Sequence, residues 1–164
     1  MINKEDFKKR PSWNKYFMHI AELISTRATC RDRKFGAVII DNDNKRILST
    51  GYNGSLSGLP HCNDNGCKEI NGHCVRTIHA EQNAIIQLAK YGGSNNLGKE
   101  KNIFVYLSGR RPCLLCVKIL INFGVKKIIY KNSNPPRFGH SKEDEFADEI
   151  LSQSSVELIK YNEN

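Results

Sequence analysis

The sequence has 164 residues, a length that fits one domain with interior enough to fold without disulfide staples. No apolar run approaches the ~20 residues of a membrane span, and the polar stretch from Met1 to Trp13 lacks a signal-peptide core, so a membrane protein is excluded and a cytoplasmic one expected. The net charge of +8 fits surface lysines such as Lys126 and Lys127 or an anionic ligand; basic residues are interleaved with acids, which argues against nucleic acid as the partner.

In chain order, Asn14 to Arg27 predicts a helix, because Tyr16, Phe17, Ile20, Ala21, Leu23 and Ile24 recur at three- and four-residue spacing. Ser12 is its expected N-cap. Phe35–Asp41 and Arg46–Asn53 predict two strands, joined as a hairpin by the turn sequence Asp41-Asn42-Asp43-Asn44. Gly51 to Gly72, rich in Gly, Asn and Cys and without periodicity, predicts an irregular loop that needs something to fix it. A helix is expected over Ala80–Lys90, a strand over Asn102–Leu107, a helix over Cys113–Phe123 closed by Gly124, and a strand over Lys126–Tyr130. A loop over Asn132–His140 precedes a capping box, Ser141-Lys142-Glu143-Asp144, that opens a last helix to about Ser152. Val156–Lys160 predicts the final strand. The order α-β-β-α-β-α-β-α-β implies an α/β domain over residues 1–164, with a central mixed, partly parallel sheet covered by helices.

Six cysteines in a chain of a reducing compartment point to metal or catalysis rather than disulfides. His79-Ala80-Glu81 opens one predicted helix and Pro112-Cys113-Leu114-Leu115-Cys116 opens another. Cys113 and Cys116, three apart, share a helix face, at an N-terminus that favours thiolates. With His79 they make two sulfurs and one imidazole for Zn²⁺, leaving the open fourth position of a catalytic site. Glu81, beside that position, is placed to move protons between water and a substrate nitrogen. A lone H-x-E arises by chance, and a lone C-x-x-C serves structural zinc and redox sites equally well. Together, H-x-E followed by P-C-x-x-C is the pattern of zinc-dependent nucleobase deaminases.

Further residues narrow the resemblance. The run Arg76-Thr77-Ile78-His79-Ala80-Glu81-Gln82-Asn83-Ala84-Ile85, the Gly51-Tyr52-Asn53-Gly54 turn, Lys34-Phe35-Gly36-Ala37-Val38-Ile39 and Pro112–Cys116 resemble deoxycytidylate (dCMP) deaminases, over about Arg10 to Tyr130. The resemblance implies a cytidine-deaminase-like fold with five strands, hydrolysis of dCMP to dUMP and ammonia as a step towards thymidylate, a homohexamer, and dCTP and dTTP as effectors. It implies that Glu81 faces N3 of the cytosine and that the Ala80 backbone donates to the base carbonyl. Asn53 would contact the deoxyribose hydroxyl, although Asn-Gly also favours positive φ as plain turn chemistry. Lys34 and Arg27 would meet the phosphate, or else are solvated surface charge. Cys30 and Cys62 match two ligands of a second, structural zinc, whose others would come from Cys67, His73 and Cys74; buried free thiols are the alternative. His19 and His140 have no such role.

The chain departs from the family pattern at Leu56 and Lys90, both tied to effector response. The segment Ser108-Gly109-Arg110-Arg111 is also longer and more basic than usual. Arg110 and Arg111 would face water, contact a neighbouring subunit or bind phosphate; the first is the default, and the last makes dCTP a second possible substrate. Two other readings stand beside the dCMP deaminase: an RNA-editing enzyme similar to tRNA adenosine deaminases, which usually lack a cysteine-rich loop before H-A-E, and a catalytically silent zinc protein, which has no need of Glu81.

Overall fold

The structure, a computed structural model, describes residues 10–31, 33–70, 73–92, 101–131 and 141–162. Helix α1 (Trp13–Ser25) starts at Ser12, whose hydroxyl accepts the Lys15 N–H as expected. Strands β1 (Gly36–Asp41) and β2 (Arg46–Tyr52) form the predicted antiparallel hairpin. The Asp41 carboxylate organises its turn by accepting from Asn44 Nδ2 and from the backbone N–H of Asp43 and Asn44. Helix α3 (Ala80–Tyr91) leads to β7 (Ile103–Leu107), α4 (Leu114–Phe123) to β8 (Val125–Tyr130), and α5 (Lys142–Gln153) to β9 (Glu157–Lys160).

The Gly51–Gly72 segment is more ordered than its composition predicts. It contains β3 (Gly54–Ser55), the one-turn helix α2 (Cys62–Asn65) and β4 (Glu69–Ile70). Beyond it, β4 pairs with β5 (His73–Cys74) and β3 with β6 (Thr77–Ile78). Two-residue strands leave no periodicity to read, which is why the sequence shows only a loop here. The predicted loop over Asn132–His140 lies outside the described residues.

The main sheet has the order β2-β1-β7-β8-β9. The first three strands are antiparallel neighbours and the last three are parallel, as the αβ alternation at the end of the chain requires. All of β1 is buried because both its faces are covered. Phe17, Met18 and Ala21 of α1 pack on Val38, Ile40, Tyr106 and Ile129. The opposite face carries Ala37, Ile39, Val105 and Ile128 against Ala84 and Leu88 of α3, Val117 and Leu120 of α4, and Ala147 and Leu151 of α5. Burying each large side chain of this kind stabilises the fold by about 1.5–3 kcal/mol. Among the described residues no helix is long and apolar enough to cross a membrane.

Two glycines set how closely the helices approach. A Cβ on Gly36 would lie 2.0 Å from Ala21 O, and one on Gly51 would lie 2.4 Å from Ala80 O and Ala84 N. Strand β2 therefore runs directly against the first turns of α3, and is lashed there by Ser49 Oγ donating to Ala84 O and Asn83 Nδ2 donating to Tyr52 O. This contact fixes the end of α3 on which His79 and Glu81 sit.

Candidate active site

The N-termini of α3 and α4 meet where the sequence places the metal. His79 is the N-cap of α3 and Cys113 the N-cap of α4, both extended in backbone. The His79 N–H donates to Gln82 Oε1 at 3.0 Å, so the turn that presents the imidazole is closed from within its own helix. His79 Nδ1 lies 3.4 Å from Cys113 Sγ and 3.5 Å from Cys116 Sγ. A tetrahedral zinc with bonds of about 2.3 Å to sulfur and 2.0 Å to nitrogen spaces S and N about 3.5 Å apart. The donor set therefore fits zinc in both chemistry and spacing, through Nδ1 of the histidine.

Protonation is shared across this trio. Cys113 is driven down to about 4 by the Cys116 thiol, which outweighs burial, and by the His79 side chain. His79 is pushed up to about 9 by its hydrogen bond to Cys113, against burial, with Glu81 adding to the rise and Arg110 opposing it. Cys116, wholly buried, is pushed up by Cys113 and by burial. Glu81 is 8% exposed, and burial raises its carboxyl above the ordinary range, while the His79 charge pulls the other way. A buried acid with a raised pKa beside a metal trio suits proton transfer.

Ala80 is buried at the first position of α3, where helix geometry leaves N–H groups unpaired within the helix. Asn53 is buried, and its side chain bridges two backbone groups: Oδ1 accepts from the Phe35 N–H at 2.7 Å and Nδ2 donates to Arg33 O at 2.9 Å. Its own N–H donates to Phe35 O and its carbonyl accepts from the Thr29 N–H. Asn53 has no positive φ, so the Asn-Gly turn explanation is set aside in favour of this clamp. Lys34 and Arg27 are both exposed, Lys34 one residue from the clamped Phe35.

A second thiol cluster lies further back in the chain. One donor atom each from Cys62, Cys67 and Cys74 lies within 4.8 Å of the others, and Cys62 Sγ is 3.8 Å from Cys74 Sγ. Two sulfurs on a tetrahedral zinc stand about 3.8 Å apart by the same bond lengths, so these residues also fit the metal. Burial raises Cys62 to about 12, with Cys74 and Cys67 adding to it. Burial also pushes Cys74 up, but the Arg76 N–H and the N–H and hydroxyl of Thr77 bring it below its ordinary value. Cys30 is buried but stands outside this trio, and the side chain of His73 lies outside the described residues. Strand β6 carries this region directly into His79, and β3, paired with it, leads back to Asn53.

The default expectation for Arg110 and Arg111, that they face water, is overturned. Arg110 Nη2 donates to Asp144 Oδ1 at 3.2 Å, and Arg111 meets Asp148 through Nη1 to Oδ2 and Nη2 to Oδ1, both at 2.6 Å. Leu56 and Lys90 are exposed; Lys90 lies over the Tyr91 ring. Sequence reasoning missed Ser108, which is buried and ties the loop before Cys113 to β1: its Oγ accepts from the Gly36 N–H and its own N–H donates to Gly36 O. It also passed over the closeness of Gly51 to α3, for which a glycine inside a strand was the available signal.

Comparison with known proteins agrees with this geometry. The model of the cytidine and deoxycytidylate deaminase zinc-binding region matches residues 11–132. ComE operon protein 2 of Bacillus subtilis is 39% identical over 148 residues, covering 90% of this chain and 70% of that protein. The deoxycytidylate deaminase of Schizosaccharomyces pombe is 29% identical over 98% of this chain, which spans only 47% of that longer protein. The crystal structure of dCMP deaminase from the cyanophage S-TIM5 in complex with dCMP and dUMP superimposes with a TM-score of 0.71 at 30% identity, over 93% of this chain and 99% of that one. With both helix N-termini, the metal trio and the buried glutamate where that family's motifs put them, the chain belongs to the cytidine and deoxycytidylate deaminase family.

Proposed function

We propose that the protein hydrolyses dCMP to dUMP and ammonia, with His79, Cys113 and Cys116 holding zinc and Glu81 transferring protons. The observation that carries the reading is the convergence of His79 Nδ1 with two thiols at 3.4 and 3.5 Å beside a buried glutamate. The choice of dCMP is supported by the relatives of that name and by the dCMP-bound neighbour.

Zinc, when bound, supplies a Lewis acid that lets water ionise near neutral pH. Glu81 accepts one proton of the attacking water and delivers it to N3 of the cytosine, then takes the second from the new C4 hydroxyl and passes it to the departing amine. A C4–O bond forms, the C4–N bond breaks, and ammonia leaves. The Ala80 N–H donates to the base carbonyl. Asn53, after serving Arg33 O and the Phe35 N–H, keeps one N–H and one lone pair, and these meet the deoxyribose hydroxyl. Lys34 and Arg27 meet the phosphate, for which their exposure leaves them accessible.

A second, structural zinc is held by Cys62, Cys67 and Cys74, with Cys30 or His73 completing four. The 3.8 Å spacing of Cys62 and Cys74 supports it. The family resemblance further supports a cytoplasmic homohexamer that responds to dCTP and dTTP; light scattering with and without each nucleotide measures both properties.

The test is ammonia release by zinc-loaded protein from dCMP, CMP, dCTP, deoxycytidine and a tRNA anticodon stem-loop. Turnover is expected to be fastest on dCMP. Equal turnover of dCTP moves the assignment to a broader nucleotide deaminase, and release from the stem-loop alone overturns it in favour of RNA editing.

A further inference from the structure

We propose that Arg110 and Arg111 are positioning residues, which clasp the loop carrying Cys113 onto α5 and thereby hold the metal trio in shape. The inference rests on the zinc-deaminase reading above. Cys113 caps α4, so its sulfur is placed by the loop over Ser108–Pro112 as much as by the helix. Each residue of that loop is anchored. Ser108 bonds to Gly36, and Gly109 lies so close to Phe35 that a Cβ there would be 2.2 Å from the ring. Pro112 is buried. The two residues left, Arg110 and Arg111, reach the same partner helix.

Their acceptors, Asp144 and Asp148, are four apart and so lie one above the other on the first two turns of α5. Arg111 donates from Nη1 to Asp148 Oδ2 at 2.6 Å, and its Nη2 stands 2.6 Å from Oδ1 as an ion-pair contact without hydrogen-bond geometry. Its Nε and Nη2 are sealed from water without a hydrogen-bond acceptor, so the buried guanidinium depends on the Asp148 charge and the one Nη1 bond for its compensation. Asp144 is held in turn by the N–H and hydroxyl of Ser141 at the start of α5. Two arginines next to each other in the loop that reach acceptors on successive turns of one helix hold the loop at two points, which a single pair does not.

The experiment measures zinc transfer to a competing chelator for wild type, Arg110→Gln, Arg111→Gln, Arg111→Lys and the exchanged pair Arg111→Asp/Asp148→Arg. Melting temperature and dCMP kinetics are measured alongside. Lys127→Ala, which removes the ion pair with Glu157 at the far strands, serves as control. Zinc affinity is expected to fall about 10-fold or more in the Arg→Gln variants, with kcat lowered and KM for dCMP unchanged, and no change in the control. The exchanged pair is expected to regain zinc. Arg111→Lys keeps the charge and loses the planar guanidinium, so it decides the matter should Arg111→Gln fail to fold: weakened zinc binding is expected there too. Wild-type zinc affinity in the folded variants, whatever their melting temperature, overturns the clasp. A wild-type protein that binds no zinc and leaves dCMP intact overturns instead the reading beneath it.

Discussion

Asn53 shows how much of the fold one side chain can hold. Its amide holds the Phe35 N–H and Arg33 O, and its backbone holds Phe35 O and the Thr29 N–H. Asn53→Ala leaves a donor and an acceptor in a part-buried setting without their partners, and a loss of about 1–3 kcal/mol is expected in denaturant titration. Asn53→Asp keeps the acceptor for Phe35 but sets a second oxygen against Arg33 O, so it is expected to destabilise as well. The convergence of His79, Cys113 and Cys116 was legible from the sequence because their positions are local: each sits within three residues of a helix start. The work of Asn53 was not legible, because a turn signal and a tertiary clamp use the same amide.

At the scale of elements, the capping box of α5 was readable as Ser141 followed by Asp144, and both halves of it form. What the sequence could not give was the second duty of Asp144 as acceptor for Arg110, since that depends on how α5 docks. Burial pushes the Asp144 carboxyl up, but the N–H and hydroxyl of Ser141 and the charges of Arg110 and Arg111 bring it below the ordinary 3.8. The carboxylate's contribution is therefore complete above pH 3.8 and is lost as pH falls through the lowered folded value. Asp144→Asn is expected to cost about 1 kcal/mol at neutral pH. The gap to wild type should stay constant down to about pH 5 and close below about pH 4 in a series of urea melts. A gap that persists at low pH would show that the carboxylate charge is not what holds α5.

Gly36 governs the approach of α1 to the sheet. A methyl group there meets Ala21 O and Ser25 N, which are backbone atoms that cannot turn aside. Gly36→Ala is expected to cost about 1–3 kcal/mol by overpacking, read by thermal melting. Because the Gly36 backbone also holds Ser108, the same variant should slow dCMP turnover, while Lys127→Ala at the far strands should leave turnover unchanged.

Across the whole molecule, the order of long elements and the mixed sheet followed from periodicity, because fully covered strands such as β1 and amphipathic helices such as α1 declare themselves. The cysteine-rich segment did not, since its order comes from two-residue strand pairs and a thiol cluster rather than from a repeating apolar face. Through the β3–β6 pair that segment leads into His79. Cys74→Ser is expected to lower bound zinc from two equivalents to about one, by elemental analysis after gel filtration. It should also lower the melting temperature, since metal binding to a structural site contributes folding energy. An unchanged zinc content would leave Cys62, Cys67 and Cys74 as free thiols.

The proposed reaction rests on buried Glu81, beside the His79–Cys113–Cys116 trio, as the group that carries the proton transfers of dCMP deamination. The most direct measurement is dUMP formation from dCMP by wild type and Glu81→Gln, each at matched zinc content. The account predicts turnover by wild type and a fall of about 10²–10⁴-fold in kcat for the variant, with zinc retained. Equal turnover by the two proteins, or none by the zinc-loaded wild type, would contradict it.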